Sequence, residues 1–155
     1  MQIDEKYLVS LKLILRNADG HVLGLKGVQK GTFAGFYDLP GGRIDVSEFM
    51  TSFEEVLRRE AVEEIGAVKF TLISSRPVAI GRHIIKEEHT SSKVKDVPVL
   101  YVFFEGVCSG SPEITVSGEH EGYAWIDLEH GQLADYFTSG ILEGVQMYLN
   151  HSPTL

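Results

Sequence analysis

"RREAVEEIG", residues 58–66, places Glu60, Glu63 and Glu64 within five positions of one another. On a helix, carboxylates three and four positions apart lie side by side and repel, at a cost of roughly a few tenths of a kcal/mol per pair. A helix is predicted here, from Phe53 to Ile65, since a capping box precedes it and a glycine suited to a helix C-terminus follows it. Either the helix tolerates this repulsion, or something positively charged lies beside the three carboxylates.

The helical phase places two of these glutamates on the apolar side of the predicted helix. At 100° per residue, the apolar stripe consists of Phe53, Val56, Leu57, Ala61 and Ile65. Glu60 and Glu64 lie inside this stripe, each about 20° from Phe53, and Glu63 lies at its edge. Burying an unpaired carboxylate costs on the order of several kcal/mol. The pattern therefore predicts that a protonated carboxyl, a buried Arg or Lys, or a divalent cation offsets this burial.

A cation is the partner that best suits three converging carboxylates. Oxygen ligands favour Mg²⁺ or Mn²⁺, which keep coordination positions for water and substrate phosphate. The alternative is a surface helix in which Glu55, Arg59 and Glu63 form ordinary ion pairs along one face. The glycine-rich residues just before the helix, 27–42, favour the functional interpretation.

The composition argues against several classes of protein. The chain has 155 residues, of which 43% are hydrophobic and 23% charged, and this is typical of one globular domain covering residues 1–155. Its formal net charge of -8 argues against a nucleic-acid polymer as a partner. Cys108 is the only cysteine, so no intrachain disulfide can form, and a cytoplasmic location is predicted. Residues 1–15 have the pattern of neither a signal peptide nor a membrane span, and no membrane association is predicted.

The order of predicted elements indicates a mixed α/β or α+β sandwich. The prediction begins with two strands, residues 7–15 and 21–28, joined as a hairpin by the turn sequence NADG. A glycine-rich loop (27–42), a helix (53–65) and several strands (67–107) follow, with a polar hairpin or flap at 83–96. One more strand (123–128) and a closing helix (129–150), broken near Gly140, complete the order.

"LPGGRIDVSEFMTSFEEVLRREAVEEIGA", residues 39–67, resembles the signature of the Nudix hydrolase family, G-x5-E-x7-R-E-U-x-E-E-x-G-U, in which U is a bulky apolar residue. The Nudix box would run from Gly42 to Ala67. The positions that match the signature are Gly42, Arg59, Glu60, Glu63, Glu64 and Gly66. Ala61 and Ala67 are smaller than the apolar residues usual at their positions.

The box differs from the family pattern in one spacing. Ten residues rather than seven separate Glu48 from Arg59, so three residues are inserted. If the insertion follows Glu48, this residue keeps the place of the first box glutamate; if the insertion comes earlier, Thr51 takes that place. We favour an insertion within Asp45–Met50, which leaves the role of Glu48 open.

Residues outside the box also resemble the family. The sequence GFYDLPGG is similar to the G-x-W-x-L-P-G-G lead-in, with Tyr37 at the tryptophan position. LGLKG resembles the preceding strand, which often ends in a basic residue, here Lys26. EHEGYAWIDL, residues 119–128, is similar to the acidic loop and the Trp-containing strand near the end of many members.

The resemblance implies a Nudix-type α/β/α sandwich with a mixed β-sheet between helices. It implies Mg²⁺-dependent hydrolysis, with Mn²⁺ as a substitute, of a pyrophosphate bond in a nucleoside diphosphate linked to another moiety. Nucleoside triphosphates, ADP-ribose and nucleotide sugars belong to this class of small-molecule substrate, and the sequence does not name one of them. The alternative is a Nudix domain that binds a nucleotide as a sensor or regulator without turnover. A homodimer is common among relatives, and the oligomeric state of this chain stays open.

The resemblance also assigns the metal ligands. Glu60 and Glu64 are the principal ligands, Glu63 is a further ligand or holds a water, and the backbone carbonyl of Gly41 supplies another ligand. Arg59 orients a glutamate through a charge-assisted fork.

The resemblance leaves several candidates for the general base and for the substrate contacts. Glu63 in the box and Glu119 or Glu121 in the late loop are the candidates for the general base. Lys26 and Arg43 are candidates for contact with a substrate phosphate.

Aromatic and histidine side chains complete the predictions. Tyr37 is a candidate for stacking on a base, with packing as the alternative. His83 and His89 lie six positions apart on either side of a polar loop, so the histidines are not predicted to form a metal site.

Overall fold

The first element of the structure is a β-hairpin, as the sequence predicts. β1 (Leu8–Arg16) and β2 (Val22–Gly27) pair antiparallel. The side-chain oxygen of Asn17 shapes the turn between them by accepting hydrogen bonds from the backbone N–H groups of Asp19 and His21, at 3.0 and 2.9 Å. The structure is a computed structural model and describes residues 2, 6–86 and 96–151.

β1 lies inside an eight-stranded mixed sheet, in which β7 (Val97–Val107) runs parallel to it. The remaining strand pairs of the described residues are antiparallel: β3 (Tyr37–Asp38) and β8 (His120–Ile126) with β2, β4 (Gly41–Arg43) with β1, and β5 (Thr71–Leu72) and β6 (Ala79–Ile85) with β7.

Each face of this sheet packs against a helix. Leu11, Leu13 and Leu15 belong to a core shared with α1 (Phe53–Ile65). Ile14 belongs to a second core, which lies under α3 (Ser139–His151) and the short α2 (Leu133–Tyr136). The period of two in a strand sends successive side chains of β1 to opposite faces, so one strand contributes to both cores. The predicted α/β/α sandwich with a mixed sheet is confirmed.

Helix α1 forms over the predicted residues. Ser52 caps its N-terminus, and Ser52 and Glu55 form the predicted capping box. Gly66 ends the helix with a φ of +76°, a conformation that favours glycine. The predicted stripe is buried at Val56, Leu57, Ala61 and Ile65, whereas Phe53, in the first turn, is exposed.

Two predicted boundaries differ from the structure. The strand predicted at 123–128 begins earlier, at His120, and ends at Ile126. The closing helix is divided into α2 and α3, and the break lies at Phe137 and Thr138, just before the predicted Gly140. Of the predicted polar hairpin, β6 and β7 form an antiparallel pair that extends to Ile85 and Val97, and residues 87–95 lie outside the described residues.

A separate expectation concerned membranes. Within residues 2, 6–86 and 96–151, the structure has no helix with both the length and the apolar character needed to span a membrane.

The second helical layer approaches the sheet closely at a pair of glycines. A Cβ atom on Gly81 of β6 would overlap the backbone carbonyl of Gly140 at the start of α3. A backbone atom cannot rotate away as the end of a side chain can. The absence of a side chain at Gly81 therefore fixes how near α3 lies to the sheet.

We expect Gly81→Ala to destabilise the protein by about 1–3 kcal/mol, the usual cost of overpacking. Chemical denaturation followed by circular dichroism would measure the free energy of unfolding. Gly122→Ala is the matched control, because Gly122 also lies in a strand and an added Cβ there meets nothing within 4 Å. Equal stability of the two variants would show that the contact between Gly81 and Gly140 does not set the helix position.

Candidate active site

Helix α1 and the strand β4 meet through the carboxylate of Glu64. Glu64 lies on the apolar side of the helix, as predicted, and is only 7% exposed. Its Oε2 accepts a hydrogen bond of 2.8 Å from the backbone N–H of Gly41. Gly41 has a φ of +143°, and a Cβ there would overlap the carbonyl of Leu11. Glycine is therefore required for the backbone to reach both the strand and the carboxylate.

Glu60 occupies the space next to Gly42. A Cβ on Gly42 would overlap the Glu60 carboxylate, so this glycine admits the glutamate. The Glu60 side chain is 14% exposed, and its Oε1 lies 2.8 Å from Nη2 of Arg59. Burial raises the pKa of Glu60, and Arg59 partly opposes this effect. Glu60 is thus a carboxylate whose charged form gains from a nearby cation.

Arg59 is the centre of a group of carboxylates. Its Nε and Nη2 donate to the two oxygens of Glu48 at 2.5 and 3.0 Å, a bidentate pair. Its Nη1 lies 3.2 Å from Glu63, which is 58% exposed. The Arg59 guanidinium and the N–H of Asp45 hold the pKa of Glu48 below its ordinary value, and the Glu48 carboxylate raises the pKa of Arg59.

This geometry bears on the position of the three-residue insertion. Asp45 caps a short 3₁₀ turn, Val46–Glu48, and the chain then continues to the N-terminus of α1 at Phe53. Glu48 contacts Arg59, while Thr51 lies next to the helix cap. Of the two residues considered for the place of the first box glutamate, Glu48 is thus the one that lies beside the box arginine.

A group of possible metal ligands forms where the start of β8 and the residues before it reach the end of α1. The backbone N–H of Ser117 donates to the backbone carbonyl of Glu64 at 3.0 Å. This contact brings Glu119 and His120 to the Glu64 side chain, and one ligand atom from each of the three residues lies within 4.8 Å of the others. Within the described part of the chain, Glu60 and Glu63 do not join this group, since Arg59 holds both.

Glu121 points elsewhere because of a β-bulge. Lys26 of β2 pairs with Gly122, but the next residue, Gly27, pairs with His120, so Glu121 is the extra residue. Its Oε1 accepts a hydrogen bond of 3.0 Å from the backbone N–H of Gln29. The structure therefore brings Glu119 to Glu64 and leaves Glu121 outside.

A cleft adjoins Glu64, Glu119 and His120, and Arg43 and Tyr101 also line it. A buried ion pair lies in this cleft. Nζ of Lys12 in β1 lies 2.9 Å from the Asp38 carboxylate of β3 and 5.4 Å from the centre of the Tyr101 ring. Burial would lower the pKa of Lys12, but the charges of Asp38 and Glu64 outweigh it and raise the value. Burial also raises the pKa of Tyr101 to about 12, so its hydroxyl keeps its proton at neutral pH. The cleft thus offers both a hydrogen-bond donor and an acceptor to a ligand.

Comparison with known proteins identifies the family. The model of the NUDIX domain matches residues 6–141. The chain belongs to the Nudix family. It is an enzyme of that family, a Nudix pyrophosphohydrolase.

Individual relatives agree with this assignment. Nucleoside triphosphatase NudI of Escherichia coli O1:K1 / APEC is 28% identical over 123 residues, which are 77% of this chain and 84% of that protein. The MutT protein of Methanosarcina mazei Go1 superposes with a TM-score of 0.71 at 22% identity, over 99% of this chain and 100% of that chain. The NUDIX domain of Shewanella oneidensis NrtR, complexed with ADP ribose, gives a TM-score of 0.58 at 14% identity, over 94% of this chain and 86% of that chain.

The predicted substrate residues of the Nudix site lie in different surroundings. Arg43 lines the cleft. Lys26 is exposed on β2, outside the cleft lining, and pairs across the strands with Tyr37. The Tyr37 ring packs 6.4 Å from the ring of Tyr136, against the core under α3. Of the three, only Arg43 lies where a ligand in the cleft would contact it.

Three other residues that line the cleft are not predicted as candidates from the sequence: His120, Lys12 and Asp38. The pairing of Lys12 with an acidic residue could have been predicted, because Lys12 lies within the apolar strand LVSLKLIL and a buried charge requires a partner. His120 lies between the two candidate glutamates of the late loop, in the sequence EHEG. Its burial depends on the bulge and on the Ser117 contact, which are features of the fold.

We expect Glu48→Gln to lower kcat/KM about tenfold, the lower end of the effect of losing a residue that orients a metal ligand. Steady-state kinetics would measure this with any substrate that the enzyme turns over. Thr51→Ala is the control, because Thr51 is the other residue considered for this place. A larger loss in Thr51→Ala than in Glu48→Gln would contradict the placement of Glu48.

Glu48 also predicts a dependence of stability on pH. Because its folded-state pKa is lowered, its stabilising contribution is fully present above the ordinary glutamate pKa of 4.5 and is lost as the pH falls from there through the folded-state value. The difference in thermal midpoint between the wild type and Glu48→Gln should therefore shrink below pH 4.5. A difference that stays constant down to full protonation would show that Glu48 does not gain from Arg59.

Proposed function

We propose that this Nudix enzyme hydrolyses the pyrophosphate bond of a nucleoside diphosphate linked to another moiety, using Mg²⁺ or, as a substitute, Mn²⁺. The observation that carries the proposal is the placement of Glu60 and Glu64. Both carboxylates are withdrawn from solvent on the apolar side of α1, against the glycine backbone of β4. Such carboxylates fit a divalent cation, which is the common partner of buried oxygen ligands.

The similar proteins support the choice of substrate class. One is a nucleoside triphosphatase, and another is complexed with ADP ribose. The cleft beside Glu64 carries Arg43, whose positive charge suits a phosphate group. We therefore place nucleoside triphosphates and ADP-ribose first among the substrates, ahead of nucleotide sugars.

The residues of the box have separate roles in this proposal. Glu60 and Glu64 hold the metal, with Glu63 as a further ligand or water contact and the Gly41 carbonyl as a backbone ligand. A divalent cation held there would activate water and neutralise charge on phosphoryl oxygens. Arg59 fixes Glu60 by their ion pair of 2.8 Å and is itself fixed by Glu48.

The general base is proposed to be Glu63 or Glu119. Glu119 lines the cleft next to Glu64. Glu63 lies on the same helix as the metal ligands and is partly exposed. Glu121 is less suited, because its carboxylate is engaged by the N–H of Gln29.

The remaining proposals concern the whole protein. We propose that residues 1–155 form one Nudix domain, that the protein is cytoplasmic, and that it has no nucleic-acid polymer as a partner. The single cysteine and the net charge of -8 support the last two statements. Association as a homodimer is proposed only because the family resemblance suggests it.

We expect Glu60→Gln and Glu64→Gln each to reduce hydrolysis at least about a hundredfold, since a metal ion supplies several kcal/mol of transition-state stabilisation. Product formation would be followed by chromatography. Glu54→Gln is the matched control on the same helix, because Glu54 is exposed and pairs only with Arg58 among the contacts described. A Glu64→Gln enzyme with a nearly full rate would overturn the assignment.

We further expect a panel of nucleoside triphosphates, ADP-ribose, nucleotide sugars, dinucleoside polyphosphates and NADH to contain at least one substrate in the presence of Mg²⁺. EDTA should stop the reaction, and added Mg²⁺ or Mn²⁺ should restore it. Tight binding of a panel member without turnover would favour a sensor and count against the proposed reaction.

A further inference from the structure

The side chain of His120 is buried, and its two ring nitrogens lack normal hydrogen bonds. Its side chain is 8% exposed, and its Nδ1 has no hydrogen-bond partner among the described residues. Its Nε2 lies 3.5 Å from Oε1 of Glu64, which is longer than the usual range of about 2.7–3.2 Å. Buried polar atoms normally have a close partner, and the 3.5 Å separation would let one ligand contact both Nε2 and the Glu64 carboxylate.

The neighbours of His120 identify what that ligand is. Two carboxylates, those of Glu64 and Glu119, offer oxygen atoms within 4.8 Å of an imidazole nitrogen. Around an ion with bonds of about 2.1 Å, ligand atoms are separated by roughly 3.0 Å when they are adjacent and roughly 4.2 Å when they are opposite, so side-chain rotations would bring all three atoms to one ion. The nearby Lys12 ammonium is bonded to Asp38, and it is not hydrogen-bonded to this group.

The backbone also directs His120 to this place. The bulge at Glu121 turns that residue outward to Gln29 and leaves His120 paired with Gly27 at the edge of the cleft. The backbone N–H of His120 donates to the carbonyl of Ser117, and Ser117 in turn is bonded to the backbone of Glu64. A ligand position built from such contacts is held before any ion arrives.

We propose that Glu64, Glu119 and one imidazole nitrogen of His120 form a mixed oxygen–nitrogen site that selects Mn²⁺ or another first-row transition-metal ion over Mg²⁺. Carboxylate oxygen suits both Mg²⁺ and Mn²⁺, whereas imidazole suits Fe²⁺, Ni²⁺, Cu²⁺ and Zn²⁺. Mn²⁺ begins that first-row series, so a nitrogen ligand disfavours it less than it disfavours Mg²⁺. Replacing one oxygen ligand by nitrogen therefore changes the relative affinity for the two ions. His120 is the residue that gives this site its preference.

The inference rests on the proposed function only in sharing the ligand Glu64. Metal binding can be measured without substrate, so the two can fail separately. The probe is Mn²⁺ added to metal-free protein, with free Mn²⁺ measured by electron paramagnetic resonance and Mg²⁺ added as a competitor.

We expect the pulsed spectrum of bound Mn²⁺ to show coupling to a nitrogen nucleus. The coupling should change to that of ¹⁵N when the histidines are labelled with ¹⁵N, a test that needs no substitution. His120→Gln should remove the coupling and weaken Mn²⁺ binding about 10–100-fold, with a smaller loss for Mg²⁺. His130→Gln is the matched control, because His130 is exposed and contacts Asp127.

Several outcomes would overturn the inference. Bound Mn²⁺ without nitrogen coupling in the wild type, an unchanged preference in a folded His120→Gln protein, or no Mn²⁺ binding would each do so. If Mg²⁺-dependent hydrolysis still required Glu60 and Glu64, the proposed function would stand. Nitrogen coupling in a protein that hydrolyses no substrate would have the opposite meaning: the metal site would stand and the proposed reaction would fall.

Discussion

The hydrogen bond from the Gly41 N–H to the Glu64 carboxylate is the contact on which the site depends. It joins the end of α1 to the strand β4, which pairs with the central strand β1. The backbone carbonyl of the same Glu64 accepts from Ser117 and so fixes the segment that carries Glu119 and His120. One residue thus sets the distances between three parts of the chain. Its burial is costly for a carboxylate, and a cation beside it would turn this cost into binding affinity.

The carboxylates of the box have two different kinds of partner. Arg59 neutralises the outer carboxylates, Glu48 and Glu63, and reaches Glu60 as well. Glu64 has no arginine partner in the described structure, and its neighbours are a backbone N–H, an imidazole and the ammonium of Lys12, which is already bonded to Asp38. The arginine therefore pairs with the outer carboxylates and with Glu60 and leaves Glu64 to other partners. A helix of ordinary ion pairs, the alternative considered from the sequence, accounts for Arg59 and Glu63 but not for the burial of Glu64.

Local patterns predict much of this architecture. The capping box at Ser52, the stop at Gly66 and the phase of Glu60 and Glu64 all depend on residues within a few positions of one another, and the structure agrees with them. The position of His120 depends on a bulge between strands far apart in sequence, and the pairing of Lys12 with Asp38 depends on sheet order. The position of Tyr37 also could not be predicted from local sequence. Its ring packs against Tyr136, which is distant in sequence, and therefore lies outside the cleft.

The three-residue insertion shows which part of the box is constrained. Six of the ten residues between Glu48 and Arg59 already belong to α1, so extra length is absorbed in the connection of residues 49–52. The entropic cost of closing such a connection grows only slowly with its length, so its length alone is weakly constrained. The pairing of Glu48 with Arg59 is geometrically demanding, because two parallel hydrogen bonds require the carboxylate and guanidinium to be coplanar. The capped 3₁₀ turn supplies that placement before the extra residues begin, and Phe49 and Met50 after it stay exposed. The insertion is therefore accommodated where it disturbs neither the turn that aims Glu48 nor the cap that starts α1.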